Sequence, residues 1–525
     1  MTSVSFAANA VIPKRNNLLR LDENCLIVLT LIIAYLPLLF FNVVRGDDFV
    51  AFQGFREGFW HHHYHNAMTF VFMRPVGQIF LVLSHHIIQK LSHAPIAFFL
   101  NILLVGLIGI GIFNFLAQIG WPALKRFVFT VTALTLPSFL VLASQVTGMY
   151  VIIAYNFAVF GSYLFVRSFN TIGIQNLTQK FLGTILLTLS IFSYPPATMI
   201  VWFLVVVLLF EAKKGPQNMK KAMWLSVVGL SLIGIFLIAL KITHYQFLQN
   251  NEAYEKYRSV SVEPLILFNK YFYSLTKSIQ LWDYKPYDIG PYLNYIPLIL
   301  KILLLFYFLL KENLQTLFLI LLCLFLSVSP VLFSSTGLEV PPFRVLGAHS
   351  LIIYFILFSG ICLLLEKRKN SKMGFLVFTP VFLISILGLS QYTLLKYHQL
   401  PLWYEINYIR SALQEKSLAL PVKIHVICPK SHIHESTYAI GEDMHAKTIT
   451  QQHIGYIPNI IISILRDLKP HSVFKKNFKN TIAGDENLQT FTSPELKIHV
   501  VKDSSFLPVD KEAIKIDMDK FHLPI

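Results

Sequence analysis

CLIVLTLIIAYLPLLFFNVV, residues 25–44, runs for twenty residues without a charge and ends directly on Arg45-Gly46-Asp47-Asp48-Phe49. About 20 apolar residues are what a helix needs to cross a bilayer core. The stretch therefore reads as a membrane helix that hands over to water at two adjacent carboxylates. It follows Lys14, Arg15 and Arg20 and has no small-residue cleavage site behind it, so it reads as a retained helix that starts insertion. Further charge-free windows lie at 94–124, 127–166, 181–210, 222–240, 313–338, 345–365 and 373–395. The whole chain agrees: of 525 residues 55% are hydrophobic and 14% charged, against roughly 25% charged in soluble proteins. Mean hydropathy is +0.58. The fold class is an all-α polytopic membrane protein with a small extracytoplasmic α/β domain at its carboxyl end.

A net charge of +16 invites a nucleic-acid reading, but the distribution of that charge follows membrane topology instead. With the amino terminus in the cytoplasm, Lys14/Arg15/Arg20, Lys125/Arg126, Arg167 with Lys180, Lys213/Lys214/Lys220/Lys221, Lys311 and Lys367/Arg368/Lys369/Lys372 all fall inside, as the positive-inside rule expects. The condition is that Val76–Leu91 does not cross. It is short and carries Gln78, His85, His86, Gln89 and Lys90, so it is expected to be an amphipathic juxtamembrane helix lying along the outer surface. Cys25, Cys323 and Cys362 sit in apolar windows and only Cys428 in a polar one, which argues against a disulfide framework.

By the length criterion about eleven crossings are expected: 25–44, 94–118, 124–144, 147–166, 180–194, 196–211, 222–243, 291–310, 313–335, 345–365 and 373–395. The domains are then a cytoplasmic amino terminus (1–24), a transmembrane domain (25–395) with outer loops at 45–93, 244–290 and 334–344, and an extracytoplasmic domain (396–525). In that last region Trp403–Glu415 has helical spacing, Val422–Cys428 and Leu496–Val501 alternate like strands, and Asn459–Leu468 reads as a helix. No internal repeat of the kind found in many transporters is visible. Neither a Walker A sequence nor a strand-to-helix glycine pattern for nucleotides is present.

The first outer loop gathers Asp47, Asp48, Arg56, Glu57, Trp60, a His61-His62-His63-Tyr64-His65 cluster and Met73-Arg74-Pro75. A carboxylate beside hydrocarbon is costly unless it is paired, metal-bound or used. Acids can serve as a general base, the planar fork of Arg74 can clamp a phosphate, and Trp60 and Tyr64 can stack on sugar rings; His65 is a further candidate substrate contact. The competing readings are a solvated acidic pair bound to Arg45 or Arg56, and an Arg74 that snorkels to headgroups. Zinc, manganese or magnesium could be held by the imidazoles and carboxylates. Consecutive histidines point in different directions, so no metal site is assigned and a divalent metal cofactor stays open. Lys301 stands mid-span, where a cation pairs within the bundle or binds a lipid phosphate. Glu339 and Arg344 share the third outer loop, while Tyr254–Arg258 and Trp282–Asp288 suit carbohydrate contact or an interfacial belt.

The acidic pair just after the first membrane helix, a loop of this size, the Arg74-Pro75 step into a juxtamembrane helix and the many-helix layout together resemble the GT-C superfamily of polytopic glycosyltransferases, nearest its O-antigen glucosyltransferase branch. The resemblance implies a polyprenyl-phosphate sugar as donor and a cell-surface glycan or lipid-linked molecule as acceptor. It implies Asp47 or Asp48 as the general base, with Arg74, Arg344 and Lys301 stabilising the lipid phosphate as it leaves, in a bacterial inner membrane and on its outer face. A polysaccharide polymerase or ligase would rely more on outer arginines than on the acidic pair. A flippase or carrier would place its polar pairs in mid-membrane, and a membrane acyltransferase would need a histidine supported within the bundle.

Overall fold

The computed structural model describes residues 17–41, 72–87, 91–212, 215–247, 263–282, 295–332, 343–366, 371–414, 422–427, 457–468, 479–482, 488–492, 496–501 and 513–518. In chain order the helices are α1 (Asn17–Ala34), α2 (Pro75–Ile87), α3 (Ala94–Gln118), α4 (Ala123–Ala133), α5 (Pro137–Ala143), α6 (Gly148–Ser168), α7 (Ile174–Ser193), α8 (Ile200–Glu211), α9 (Pro216–Phe247) and α10 (Pro264–Gln280). They continue as α11 (Tyr295–Leu309), α12 (Leu314–Ser327), α13 (Gly347–Glu366), α14 (Ser371–Thr393), α15 (Leu400–Gln414) and α16 (Ile457–Leu468). Among the described residues five helical stretches are long and apolar enough to cross a membrane, within Ala94–Gln118, Gly148–Ser168, Pro216–Gln246, Gly347–Leu365 and Val377–Gln414. A sixth arises if α4 and α5, bent by 62°, count as one span.

The remaining apolar windows give shorter helices, and proline sets most of the breaks. Proline lacks a backbone donor and pushes the residue before it out of the helical region. Leu136, before Pro137, is extended and ends the α4 half of window 124–144. Tyr194, before Pro195-Pro196, is extended and divides α7 from the turn that leads into α8. Pro37 likewise stands in a single 3₁₀ turn, Leu36–Leu39, that follows α1. In the other direction α14 does not stop at the end of its window: a π-helical turn at Leu394–Gln399 carries it into α15. The juxtamembrane segment is a helix of thirteen residues, about 20 Å at 1.5 Å per residue. The stretch expected as the middle outer loop, 244–290, holds the seventeen-residue helix α10.

Contacts sort the helix ends into two groups. At one end the Trp121 indole donates to Glu211 Oε1 (2.8 Å), Arg126 lies 3.9 Å from Glu23, and Gln217 reaches the Asn170 side chain (3.4 Å). At the other, here the loop end, Phe41 packs edge-on against Trp403, Met73 lies 3.3 Å from the Thr243 hydroxyl and Arg74 lies over Tyr194. From Trp121 an aromatic cluster of Phe129, Phe203, Tyr354, Phe355 and Phe358 runs into the bundle interior. Each such ring buries a large apolar area and adds about 0.5–1.5 kcal/mol per ring pair.

Beyond α15 the chain forms a five-stranded sheet of order β2-β3-β4-β1-β5, with β1 Val422–Ile427, β2 Lys479–Ile482, β3 Leu488–Thr492, β4 Leu496–Val501 and β5 Ile514–Asp517. The strands expected at 422–428 and 496–501 are β1 and β4, paired in parallel, and the expected helices are α15 and α16. Side chains alternate faces along a strand. Ile424, Val426, Ile498, Val500, Ile514 and Ile516 turn to one face, into a core shared with Ile406, Ile409 and Leu465 of α15 and α16.

Candidate functional site

Arg74 is set by the backbone on either side of it. Met73 has a left-handed φ of 50°, a conformation that costs a non-glycine residue energy. Pro75 begins α2, and the Arg74 carbonyl accepts from Gln78 N (3.0 Å), so Arg74 stands at the mouth of the helix. Its guanidinium lies 4.6 Å from the Tyr194 ring centre and 5.1 Å from that of Phe72. Stacking of this kind contributes about 0.5–2 kcal/mol and leaves the edge of the fork available. Its Nε is buried with no hydrogen-bond partner among the described residues. The approach of α2 depends on Gly77, where a Cβ would run into the Ser193 carbonyl.

The helix in the middle loop is amphipathic in the inverted sense. On α10 the side chains of Lys270, Ser274, Lys277 and Ser278 are 7%, 0%, 6% and 1% exposed, while Leu265, Phe268 and Phe272 are 70%, 65% and 52% exposed. Positions separated by three and four residues share a helix face, so the lysines occupy the inward face and the apolar side chains the outward one. That is how a helix packs when its outer face meets lipid. Burial pulls the Lys270 pKa down from its ordinary value, and an anion beside it would offset that penalty. The Lys277 ammonium lies 4.3 Å from the Phe343 ring, next to Arg344. The end of α10 is tied to its neighbours: Lys301 Nζ donates to the Gln280 carbonyl (2.8 Å), and the Trp282 indole donates to the Thr135 carbonyl (3.0 Å), which lies in the α4–α5 bend.

Directly after Arg344, α13 begins at Gly347, where a Cβ would collide with the Tyr155 hydroxyl. The hydroxyls of Tyr155 and Ser138 there are buried and make no hydrogen bond among the described residues. Such groups are costly unless a ligand or water meets them. Two residues on, His349 Nδ1 lies 2.8 Å from Ser327 Oγ, whose own proton goes to the Leu324 carbonyl; its Nε2 has no partner among the described residues.

Lys301 thus bonds within the bundle, at the end of the same helix that carries Lys277, and Phe343, the chain neighbour of Arg344, stands against that helix. Arg74 belongs to a different wall, beside Tyr150 and Tyr194. The turn from Tyr194 to Met199 connects the two, because Met199 Sδ lies 3.9 Å from the Ser329 hydroxyl and the Ser329–Leu332 turn packs on α10. Trp282, a candidate carbohydrate contact by sequence, is instead a buried packing residue. Asp47, Asp48, Arg56, Glu57, Trp60, His65, the remaining histidines of that cluster and Glu339 lie outside the described residues. Phe41 and Phe72, which flank the first outer loop, are both at the loop end. Among the described residues no group of three or more His, Cys, Asp or Glu side chains is arranged to hold a metal.

Lys270 and Lys277 are absent from the candidates drawn from sequence. The signal for them is the spacing Lys270, Ser274, Lys277, Ser278 set against Leu265, Phe268, Phe272, a polar stripe in an apolar helix. No protein-family model matches the chain, and no curated protein matches it.

Proposed function

We propose that the chain is a membrane glycosyltransferase of the GT-C type, with eleven crossings, in a bacterial inner membrane. It transfers a sugar from a polyprenyl-phosphate donor to a surface glycan or lipid-linked acceptor on the outer face. The observation that carries this reading is the inverted helix α10, whose lysines face inward, Lys277 against Phe343 next to Arg344 in the chain, while Phe268 and Phe272 face outward. A lipid phosphate needs both surfaces at once, cations for its headgroup and an apolar flank along which its tail can remain in the bilayer. In this mechanism Asp47 or Asp48 takes the proton of the acceptor hydroxyl, the oxygen attacks the anomeric carbon, and the polyprenyl phosphate leaves. Lys270, Lys277, Arg344 and, from the opposite wall, Arg74 stabilise the charge that develops on it.

A positioned general base contributes about 10²- to 10⁴-fold to rate. The test is turnover by the purified protein supplied with polyprenyl-phosphate sugars, comparing wild type with Asp47→Asn and Asp48→Asn. One variant is expected to fall by about that factor, and full turnover in both removes the general-base assignment. A polymerase or ligase is the second reading, favoured by the cationic character of the described site residues, Arg74, Lys270, Lys277 and Arg344. In that case Arg344→Gln abolishes turnover while both aspartate variants retain it.

A further inference from the structure

At the end of the bundle away from the loop end, α6, α7 and α9 meet around Phe169. The Gln217 side chain, in the first turn of α9, reaches the Phe169 carbonyl (3.5 Å) and the Asn170 side chain (3.4 Å) just past the end of α6. Lys221 follows Gln217 by four residues and so shares its face of α9. From α7, the Lys180 ammonium lies 5.2 Å from the centre of the Phe169 ring. Arg167 stands in the last turn of α6 and Lys220 next to Lys221, and both are exposed. Cations from three helices therefore gather at one turn. Among the described residues none of the four forms a salt bridge or a side-chain hydrogen bond. Acids are scarce here: across residues 58–251 the one carboxylate is Glu211, which accepts from the Trp121 indole (2.8 Å).

A charge that only sets topology needs to stand at a helix end and reach water, which accounts for Arg167 and Lys220. Lys221 is different. It is 3% exposed, and it lies on the face of α9 that continues through the buried Leu225 to Gly229, which packs on Trp202 of α8. A cation enclosed in this way is costly unless an anion meets it. The surroundings say which anion. Toward the middle of the bundle the next side chains, Phe181 of α7 with Trp224 and Val227 of α9, are apolar and exposed, and in the turn itself Ile172 and Ile174 are 93% and 86% exposed. A free phosphate or an acidic protein segment uses the cations alone. A phospholipid uses both surfaces, with its phosphate at the helix ends and its chains along the apolar sides, and basic pockets between membrane helices recognise acidic headgroups in this manner.

We propose that Arg167, Lys180, Lys220 and Lys221 form a binding site for an anionic phospholipid, its phosphate held beside the α6–α7 turn at the end of the bundle opposite the loop end. The site does not depend on the transferase reading. The test uses the full chain purified in neutral detergent, with phosphatidylglycerol, cardiolipin, phosphatidylcholine or inorganic phosphate added. Retained lipid is read by native mass spectrometry and stability by thermal unfolding. Wild type is expected to retain the two acidic lipids about tenfold better than phosphatidylcholine, and to unfold at a higher temperature with them but not with inorganic phosphate. Lys180→Gln/Lys221→Gln is expected to lose about tenfold in retention of the acidic lipids. Arg167→Gln/Lys220→Gln, altered at exposed positions that leave the packing intact, is expected to lose about fivefold, and it decides the matter if the first variant fails to fold. Lys311→Gln removes a cation of the α11–α12 turn that already bonds the Tyr307 hydroxyl, and it is expected to retain lipid as wild type does. Equal retention of phosphatidylcholine, unchanged retention in Arg167→Gln/Lys220→Gln, an equal loss in Lys311→Gln, or an equal thermal shift with inorganic phosphate overturns the proposal.

Discussion

Arg74 shows how much one residue's surroundings decide its role. A snorkelling arginine would extend to headgroups, whereas this guanidinium lies within about 5 Å of the Tyr194 and Phe72 ring centres, between a left-handed Met73 and the proline that opens α2. Lysine keeps the charge but loses the planar stack and the two-pronged contact. Arg74→Lys is therefore expected to raise KM for the lipid donor by about tenfold with little change in thermal stability, and an unchanged KM would return Arg74 to an anchoring role. Gly77→Ala tests the packing that brings Arg74 there. Its methyl meets the Ser193 carbonyl, and overpacking of this kind costs about 1–3 kcal/mol, which a thermal unfolding shift in detergent would register. Arg74 and Pro75 could be picked out from the sequence because a cation and a proline at a helix mouth are local signals. Gly77 could not, because its neighbour Ser193 lies more than a hundred residues away.

Among the elements, α10 was the hardest to read. An averaged hydropathy window mixes its lysines and phenylalanines and returns neither a span nor a polar loop, while the inverted pattern is plain once burial is known. Its carboxyl end provides a direct test. Lys301 donates to the Gln280 carbonyl, and truncating it leaves a carbonyl in apolar surroundings at a cost of about 1–3 kcal/mol. Lys301→Met is expected to lower thermal stability by that amount and to reduce turnover through misplacement of Lys277. A variant with full stability and unchanged turnover would mean that the end of α10 is held by other contacts. The proline-split helices show the same limit. Apolar windows report where the chain avoids water, but Pro137 and Pro195 decide where a helix can continue.

Across the whole molecule, the helix ends fall into two groups, one carrying Glu23, Arg126 and Glu211 and the other Arg74, Lys277 and Phe343. The two parallel strands and both terminal helices were legible in the sequence, since β1 and β4 alternate apolar and polar residues over their first five positions. Strands β2, β3 and β5 were not, being four or five residues long and stabilised by pairing rather than pattern. The acidic pair that follows the first helix remains the centre of the chemistry proposed for the loop end. The most direct measurement is transfer in proteoliposomes of known orientation, loaded with a radiolabelled polyprenyl-phosphate sugar and given a glycan acceptor on one side only. Label is expected to move to the acceptor when it is on the side of the terminal sheet, and not when it is on the other. Donor that crosses the membrane with its sugar still attached, and no label on any acceptor, would contradict the account.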